Sequence, residues 1–290
     1  MQSNDEPLPR PYIWDAHAGF LADPHADLTK LSIWREAGVD FLSVSVGFDV
    51  IPPQRTMATI AAFRHWLNAH ADDYLLVEHA GDLDIARRSG RMAIAFDIEG
   101  MAALDGRLEM VELFHKLGVR QMLVAYNRNN AAGGGCHDED AGLSPFGRAV
   151  IDEMNRVGMT VDVSHCGYRT SMEAMERSRA PVVFSHSNAR ALVPHARNVT
   201  DEQIRACAAT GGVVGVVGLD FFLGAGSPTA GKLANHVEYL LDVAGPEHVG
   251  LGLDYGFPVD PVDFDFAALQ SRYWPEEHYP RPDGNLMTRR

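Results

Sequence analysis

Apolar runs of strand length alternate along this chain with amphipathic stretches of helix length, and the alternation repeats until eight strands are counted. The strand-like runs are residues 12–17, 39–46, 92–98, 119–126, 159–165, 181–186, 212–218 and 249–253. Helix-like segments fall between them at 27–37, 56–89 (one long helix or two consecutive ones), 104–117, 144–158, 171–179, 200–209 and 232–243. Several stop at a glycine, among them Gly38, Gly118 and Gly158, as helices do. Ser144-Pro145 offers a capping hydroxyl and a first-turn proline, and Thr200 followed by Asp201 and Glu202 offers a cap with acidic residues in the first turn. Strands and helices in strict alternation make consecutive strands parallel, and eight such units close into a (β/α)8 barrel. An open doubly wound sheet shares the alternation, but its Gly-x-Gly-x-x-Gly turn is missing after the first run.

A barrel of this kind builds its chemistry at the carboxyl ends of its strands, and this chain places metal-binding residue types there repeatedly. Ser164-His165 and Ser185-His186 close the fifth and sixth runs, with the two histidines 21 residues apart. Asp15 and His17 lie on the first run, Glu99 ends the third and Asp254 follows the eighth. Any one of these could be a satisfied polar residue capping a strand. Several unpaired charges buried around one mouth would be very costly, so the set points to a divalent-metal site. Imidazole with carboxylate suits Zn²⁺, and a carboxylate can bridge two ions. Such a pair generates hydroxide at neutral pH and polarises a carbonyl.

Bulk properties narrow the partners. A net charge of −14 over 290 residues argues against nucleic acid, whose phosphates need clustered Lys and Arg. The three cysteines, Cys136, Cys166 and Cys207, form no C-x-x-C pair, so neither a zinc knuckle nor a disulfide framework is expected, and Cys166 reads as a buried thiol. The polar start lacks the apolar run of a secretory signal, and no stretch approaches the ~18 consecutive apolar residues of a membrane span. A cytoplasmic protein without a membrane segment is the expectation. The domain reading is an N-terminal arm at 1–11, one barrel at 12–256 and a short Pro-rich tail at 257–290.

Asp15-Ala-His17, Asp97-Ile-Glu-Gly100, Asp162-Val-Ser-His165, Ser185-His-Ser187, Arg197-Asn198 and Gly250-Leu-Gly-Leu-Asp254 together resemble the membrane (renal) dipeptidase family of zinc metallopeptidases, family M19. Order and spacing agree from residue 12 to about 256. The resemblance implies a TIM-like barrel of the metal-dependent hydrolase type. It also implies that His17 serves a first zinc, Glu99 bridges two ions, and His165 and His186 hold the second. Asp254 then matches the family's proton-handling carboxylate, and Arg197 the arginine that grips the substrate carboxylate, a role its planar fork suits.

Three departures stand against that pattern. The family's His-x-Asp reads His17-Ala18-Gly19, so one first-site carboxylate is absent. Asp15, two residues before His17 and on the same side of a strand, is the candidate to replace it or to orient a neighbour. The family's Thr-His-Asn reads Ala125-Tyr126-Asn127, which puts a tyrosine hydroxyl where a histidine contacts the carbonyl oxygen; Tyr126 and Asn127 are expected to face substrate, or Tyr126 to be apolar filling. Only 36 residues follow Asp254, five of them proline, so the barrel is expected to be incomplete at its C-terminus, with a short helix at 263–272 or cover from a partner subunit.

The functional expectation is a zinc-dependent dipeptidase using one or two ions, with Asp254 and Glu99 as its catalytic carboxylates, a dipeptide as substrate and a homodimer as a candidate assembly. Gly19 and Tyr126 leave two alternatives open. One is an amidohydrolase acting on a non-peptide amide or a biosynthetic intermediate. The other is a degenerate barrel that binds a ligand without catalysis.

Overall fold

The computed structural model describes residues 10–19, 22–224, 226–227, 229–256 and 271–279. Eight parallel strands form the barrel: β1 (Trp14–Gly19), β2 (Phe41–Phe48), β3 (Met92–Glu99), β4 (Val119–Leu123), β5 (Thr160–Asp162), β6 (Val182–Val183), β7 (Val214–Val216) and β8 (Val249–Leu251). Each of β1 to β5 pairs with the next, β5 with β6, and β7 with β8. β8 returns to β1 through Leu251 and Asp15. The seam between β6 and β7 is held by a single bridge, Phe184 to Val214, so the (β/α)8 barrel is nearly closed.

Glycine makes that seam possible. A β-carbon on Gly215 would lie 2.0 Å from the carbonyl oxygen of Ser185, and one on Gly252 only 1.7 Å from the same atom. No side chain fits at either place, which gives the glycines of β7 and of the Gly250-Leu-Gly-Leu-Asp254 run a packing reason. The strands are apolar almost throughout, as in a sheet covered on both sides. The main core lies between them and the helices, with Phe63, Phe96, Phe114 and Phe184 fully buried.

The helices begin where their caps place them. Ser144 accepts a hydrogen bond from the Gly147 amide at 3.0 Å, starting the helix Pro145–Val157. Thr200 and Gln203 form a reciprocal capping box for Asp201–Ala209. Two expected boundaries change. The stretch 56–89 is two helices, Pro53–Ala69 and Gly81–Ser89, separated by a short strand, Tyr74–Leu76, that pairs with the start of β3. The helix expected at 104–117 is Glu109–Lys116, because Asp105 and Gly106 both take positive φ and break the chain before it. The helix expected at 263–272 lies mostly outside the described residues, though residues 271–273 are helical. No helix among the described residues is long and apolar enough to cross a membrane.

Candidate metal centre

The strands deliver five side chains to one mouth. His17 lies within β1 and Glu99 is the last residue of β3, while His165, His186 and Asp254 follow the ends of β5, β6 and β8 by three positions each. His165, Asp254 and Asn127 take the left-handed backbone conformation, with φ of 60°, 58° and 58°. Non-glycine residues rarely adopt it, and such strain gathers where function needs a particular side-chain aim.

Glu99 is the hub. Its Oε1 lies 3.6 Å from His17 Nε2, and its Oε2 lies 3.3 Å from His165 Nε2 and 3.7 Å from His186 Nε2. Asp254 Oδ1 lies 3.5 Å from His17 Nε2. The rings of His17 and His186 stack with centroids 4.1 Å apart. Ligand atoms of His17, Glu99 and His186 all fall within 4.8 Å of one another.

Each imidazole is held by its other nitrogen. His17 Nδ1 meets Asp97 Oδ2 at 3.2 Å, His165 Nδ1 meets the Asn127 amide oxygen at 2.6 Å, and His186 Nδ1 meets Ser185 Oγ at 2.7 Å. Carboxylate and amide oxygens only accept, so the Nδ1 atoms of His17 and His165 both carry a hydrogen, and the neutral ring of His165 leaves its Nε2 bare. His165 Nε2 and His186 Nε2 lie 2.8 Å apart. At that distance the two nitrogens are joined either by one hydrogen, carried by His186, or by a cation that both bind. The donors therefore fit a divalent ion of the zinc type, with an orienting outer layer of the kind metal-binding histidines require.

Electrostatics divide the site. Burial pushes Glu99 up to about 8, against the pull of the nearby His17. His17 itself is held well above its ordinary value: burial opposes its charge, but the carboxylates of Asp97, Glu99 and Asp254 outweigh it. His165 and His186 go the other way, driven well down by burial and by the positive field of Arg197 and neighbouring imidazoles. The β1 side is thus a negative cradle and the β5–β6 side a neutral one.

The remaining expected residues take distinct places. Arg197 is 3% exposed. Its Nη2 donates to the His186 carbonyl at 3.1 Å, its guanidinium lies 5.4 Å from the Phe222 ring centre, and its Nε has no hydrogen-bond partner among the described residues. Tyr126 stacks on His165 with ring centres 4.2 Å apart, and burial holds its hydroxyl well above its ordinary pKa. Asn127 spends its amide oxygen on His165 and its Nδ2 on the Tyr273 carbonyl, at 2.9 Å. Asp15 accepts from Trp34 Nε1 at 3.0 Å and from the Leu253 amide at 2.9 Å, tying β1 to β8. A β-carbon at Gly19 would find Asp254 Oδ1 as its nearest neighbour, at 3.8 Å, so the missing carboxylate leaves open space beside Asp254.

Two features go beyond the sequence reading. Asp97, Asp162 and Ser185, present in its motifs but given no role, stand behind the converging side chains. The second feature is a cover. Residues 271–279 lie over the mouth, where Tyr273, Trp274 and Tyr279 pack with Phe48, Tyr126 and Phe222. His195 Nε2 bonds the His278 carbonyl at 2.9 Å and His137 Nε2 meets the Tyr279 hydroxyl at 3.0 Å. A tail read as Pro-rich gave no hint of this.

Known proteins resemble this arrangement. The family model described as membrane dipeptidase (peptidase family M19) matches residues 22–269. An uncharacterized dipeptidase of Schizosaccharomyces pombe is 35% identical over 261 residues, covering 82% of this chain and 62% of that protein. Dipeptidase tcpJ of Claviceps purpurea is 34% identical over 210 residues, covering 70% and 49%. The chain thus spans about half to two thirds of the length of the curated relatives it matches. Among solved structures, an amidohydrolase from Pseudomonas aeruginosa is similar with a TM-score of 0.81 at 30% identity, covering 86% of this chain and 76% of that one. A metallo peptidase from Rhodobacter sphaeroides, liganded with a phosphinate mimic of the dipeptide L-Ala-D-Ala, shares the fold with a TM-score of 0.74 at 24% identity, covering 84% and 86%.

Proposed function

Because the chain belongs to the membrane dipeptidase family, peptidase family M19, we propose that it is a zinc-dependent dipeptidase hydrolysing the peptide bond of dipeptides. The observation that carries this reading is the convergence of three buried imidazole Nε2 atoms on Glu99, each ring anchored from behind. His165, His186 and Glu99 would hold one Zn²⁺. His17 and Glu99 would hold a second more weakly, since Gly19 supplies no carboxylate. The metal, when bound, supplies Lewis acidity and lowers the pKa of water.

The chain's own groups do the rest. Asp254 stands beside His17 with its side chain 20% exposed, placed to take a proton from the attacking water and return it to the leaving amine. Arg197 keeps Nε buried and without a partner among the described residues, a donor that a substrate C-terminal carboxylate would satisfy. Tyr126 keeps its proton at working pH because burial opposes the phenolate, so it can donate to the oxygen on which charge develops. The cover of residues 271–279 packs on Tyr126 and Phe222, which limits solvent at Tyr126 and at Arg197 and strengthens their interactions.

The test is a panel of dipeptides differing in side chain and C-terminal stereochemistry, assayed as purified, after chelation and after zinc is restored. Turnover lost on chelation and regained with zinc is expected. Arg197→Ala should raise KM roughly 10- to 100-fold, the worth of a hydrogen bond to a charged group. Absence of turnover across the panel in zinc-loaded protein would refute the reading.

A further inference from the structure

Behind the two Ser-His steps lies one buried carboxylate, Asp162, at the end of β5. Its Oδ1 accepts from the Ser164 amide at 2.9 Å, the Ser164 hydroxyl at 2.8 Å and the Ser185 amide at 3.2 Å. Its Oδ2 accepts from the Ser185 hydroxyl at 2.5 Å and from Gln121 Nε2 at 3.1 Å. Asp162, Ser164, Ser185 and His186 are all at most 2% exposed, so water does not compete for these bonds.

Proton counting then fixes the direction of the chain. A serine hydroxyl has one hydrogen, and that of Ser185 is engaged by Asp162. Its oxygen also lies 3.2 Å from Ser164 Oγ, whose own hydrogen goes to Asp162, and 2.7 Å from His186 Nδ1; the contact to His186 must then be one in which the serine oxygen accepts. His186 therefore carries its hydrogen on Nδ1 and presents a bare Nε2 toward Glu99 and His165. Were Ser185 turned to donate to Nδ1 instead, Nε2 would carry the hydrogen and lose its capacity as a ligand. Ser164 supports the same direction: its own hydrogen goes to Asp162 while its oxygen accepts the His186 amide at 3.2 Å.

We infer that Asp162 is a positioning residue that acts through Ser185 to set the His186 tautomer, holding Nε2 free to bind a cation. The inference rests on the metal-site reading above for its purpose, but not for its proton placement. It also separates two motifs that look identical in sequence. Ser185 orients the histidine that follows it, whereas Ser164 leaves His165 to Asn127 and instead braces the neighbouring step.

The experiment reads imidazole nitrogen chemical shifts in the isotopically labelled full chain, before and after chelation, together with zinc affinity by competition with a chromophoric chelator. Wild type should show His186 as the Nδ1–H tautomer in both states. Ser185→Ala should mix the tautomers and weaken zinc roughly 10- to 100-fold, the usual effect of losing an outer partner of a ligand. Ser185→Thr, which keeps the hydroxyl, should restore both. Asp162→Asn should act like Ser185→Ala, and if it fails to fold, the two Ser185 variants still decide. An Nε2–H tautomer in wild type, or a tautomer unmoved in Ser185→Ala, would overturn the inference. A correct tautomer response in a protein that binds no zinc would leave the relay standing and count against the dipeptidase reading alone.

Discussion

The half of the metal centre built by β5 and β6 and the half built by β1 and β8 share Glu99, yet they are constructed differently. On the β5–β6 side His165 and His186 are neutral, and each is fixed by a partner that is itself fixed: Asn127 by the cover, Ser185 by Asp162. On the β1–β8 side His17 has Asp97 behind it, but Gly19 leaves a gap beside Asp254. Carboxylates there outnumber imidazoles, and they drive His17 upward. In a pocket of neutral, pre-aimed donors the cation only joins the donors, whereas in a cradle of buried carboxylates it also offsets charge. Gly19, which brings no carboxylate to the end of β1, lies on the second kind of side.

Glu99→Gln is the most damaging change, because Glu99 is the one residue both halves use. An amide keeps the size but presents a donor to three Nε2 atoms in place of a second accepting oxygen. Turnover is expected to fall to background and zinc content to drop on both sides, by kinetics and elemental analysis. A variant that retained zinc and activity would show that the halves do not meet at Glu99.

Gly19→Asp attacks the asymmetry directly. The position has room, with the nearest atom to a new β-carbon 3.8 Å away, and its backbone is not in the left-handed region. The expected outcome is a rise from about one tightly held zinc per chain to two, a stoichiometry read by titration. Two equal sites already present in the wild type would erase the distinction between the halves.

The sequence carried the residues that meet at the mouth and not their support. His17, Glu99, His165, His186 and Asp254 were legible because barrel strands end where apolar periodicity ends, and a charged residue at such an end stands out. Asp97 and Asp162 lie inside the apolar runs, where a lone carboxylate reads as an interruption until its donors are seen across the sheet. Asn127 was legible as a site residue, but its task depends on His165 and Tyr273, 38 and 146 positions away, which no local pattern encodes. The short strand at Tyr74–Leu76 was hidden for a similar reason: it is three residues long and is defined by its pairing with β3.

The cover also belongs to one half more than the other. Its hydrogen bonds reach Asn127 after β4 and His195 and His137 in neighbouring loops, so the pre-aimed side is also the roofed side. Two of the cover's partners are acid-sensitive: His137, which burial pushes down to about 2, and His195. The Nδ1 of His195 accepts from the Arg197 amide at 3.1 Å and its Nε2 donates to the His278 carbonyl, which requires the neutral ring. Burial, followed by the charge of Arg197, pushes it down to about 4, against about 6.5 in an unfolded chain. A base depressed on folding gives stability that is complete above the unfolded value and is lost as pH falls toward the folded one. Between pH 7 and pH 5, hydrogen-exchange protection of residues 271–279 should therefore decrease. His195→Gln should flatten the decrease, since glutamine can donate and accept without titrating. Equal protection of the cover at both pH values, or an unchanged slope in His195→Gln, would mean that the roof is held by its aromatic packing and not by this histidine.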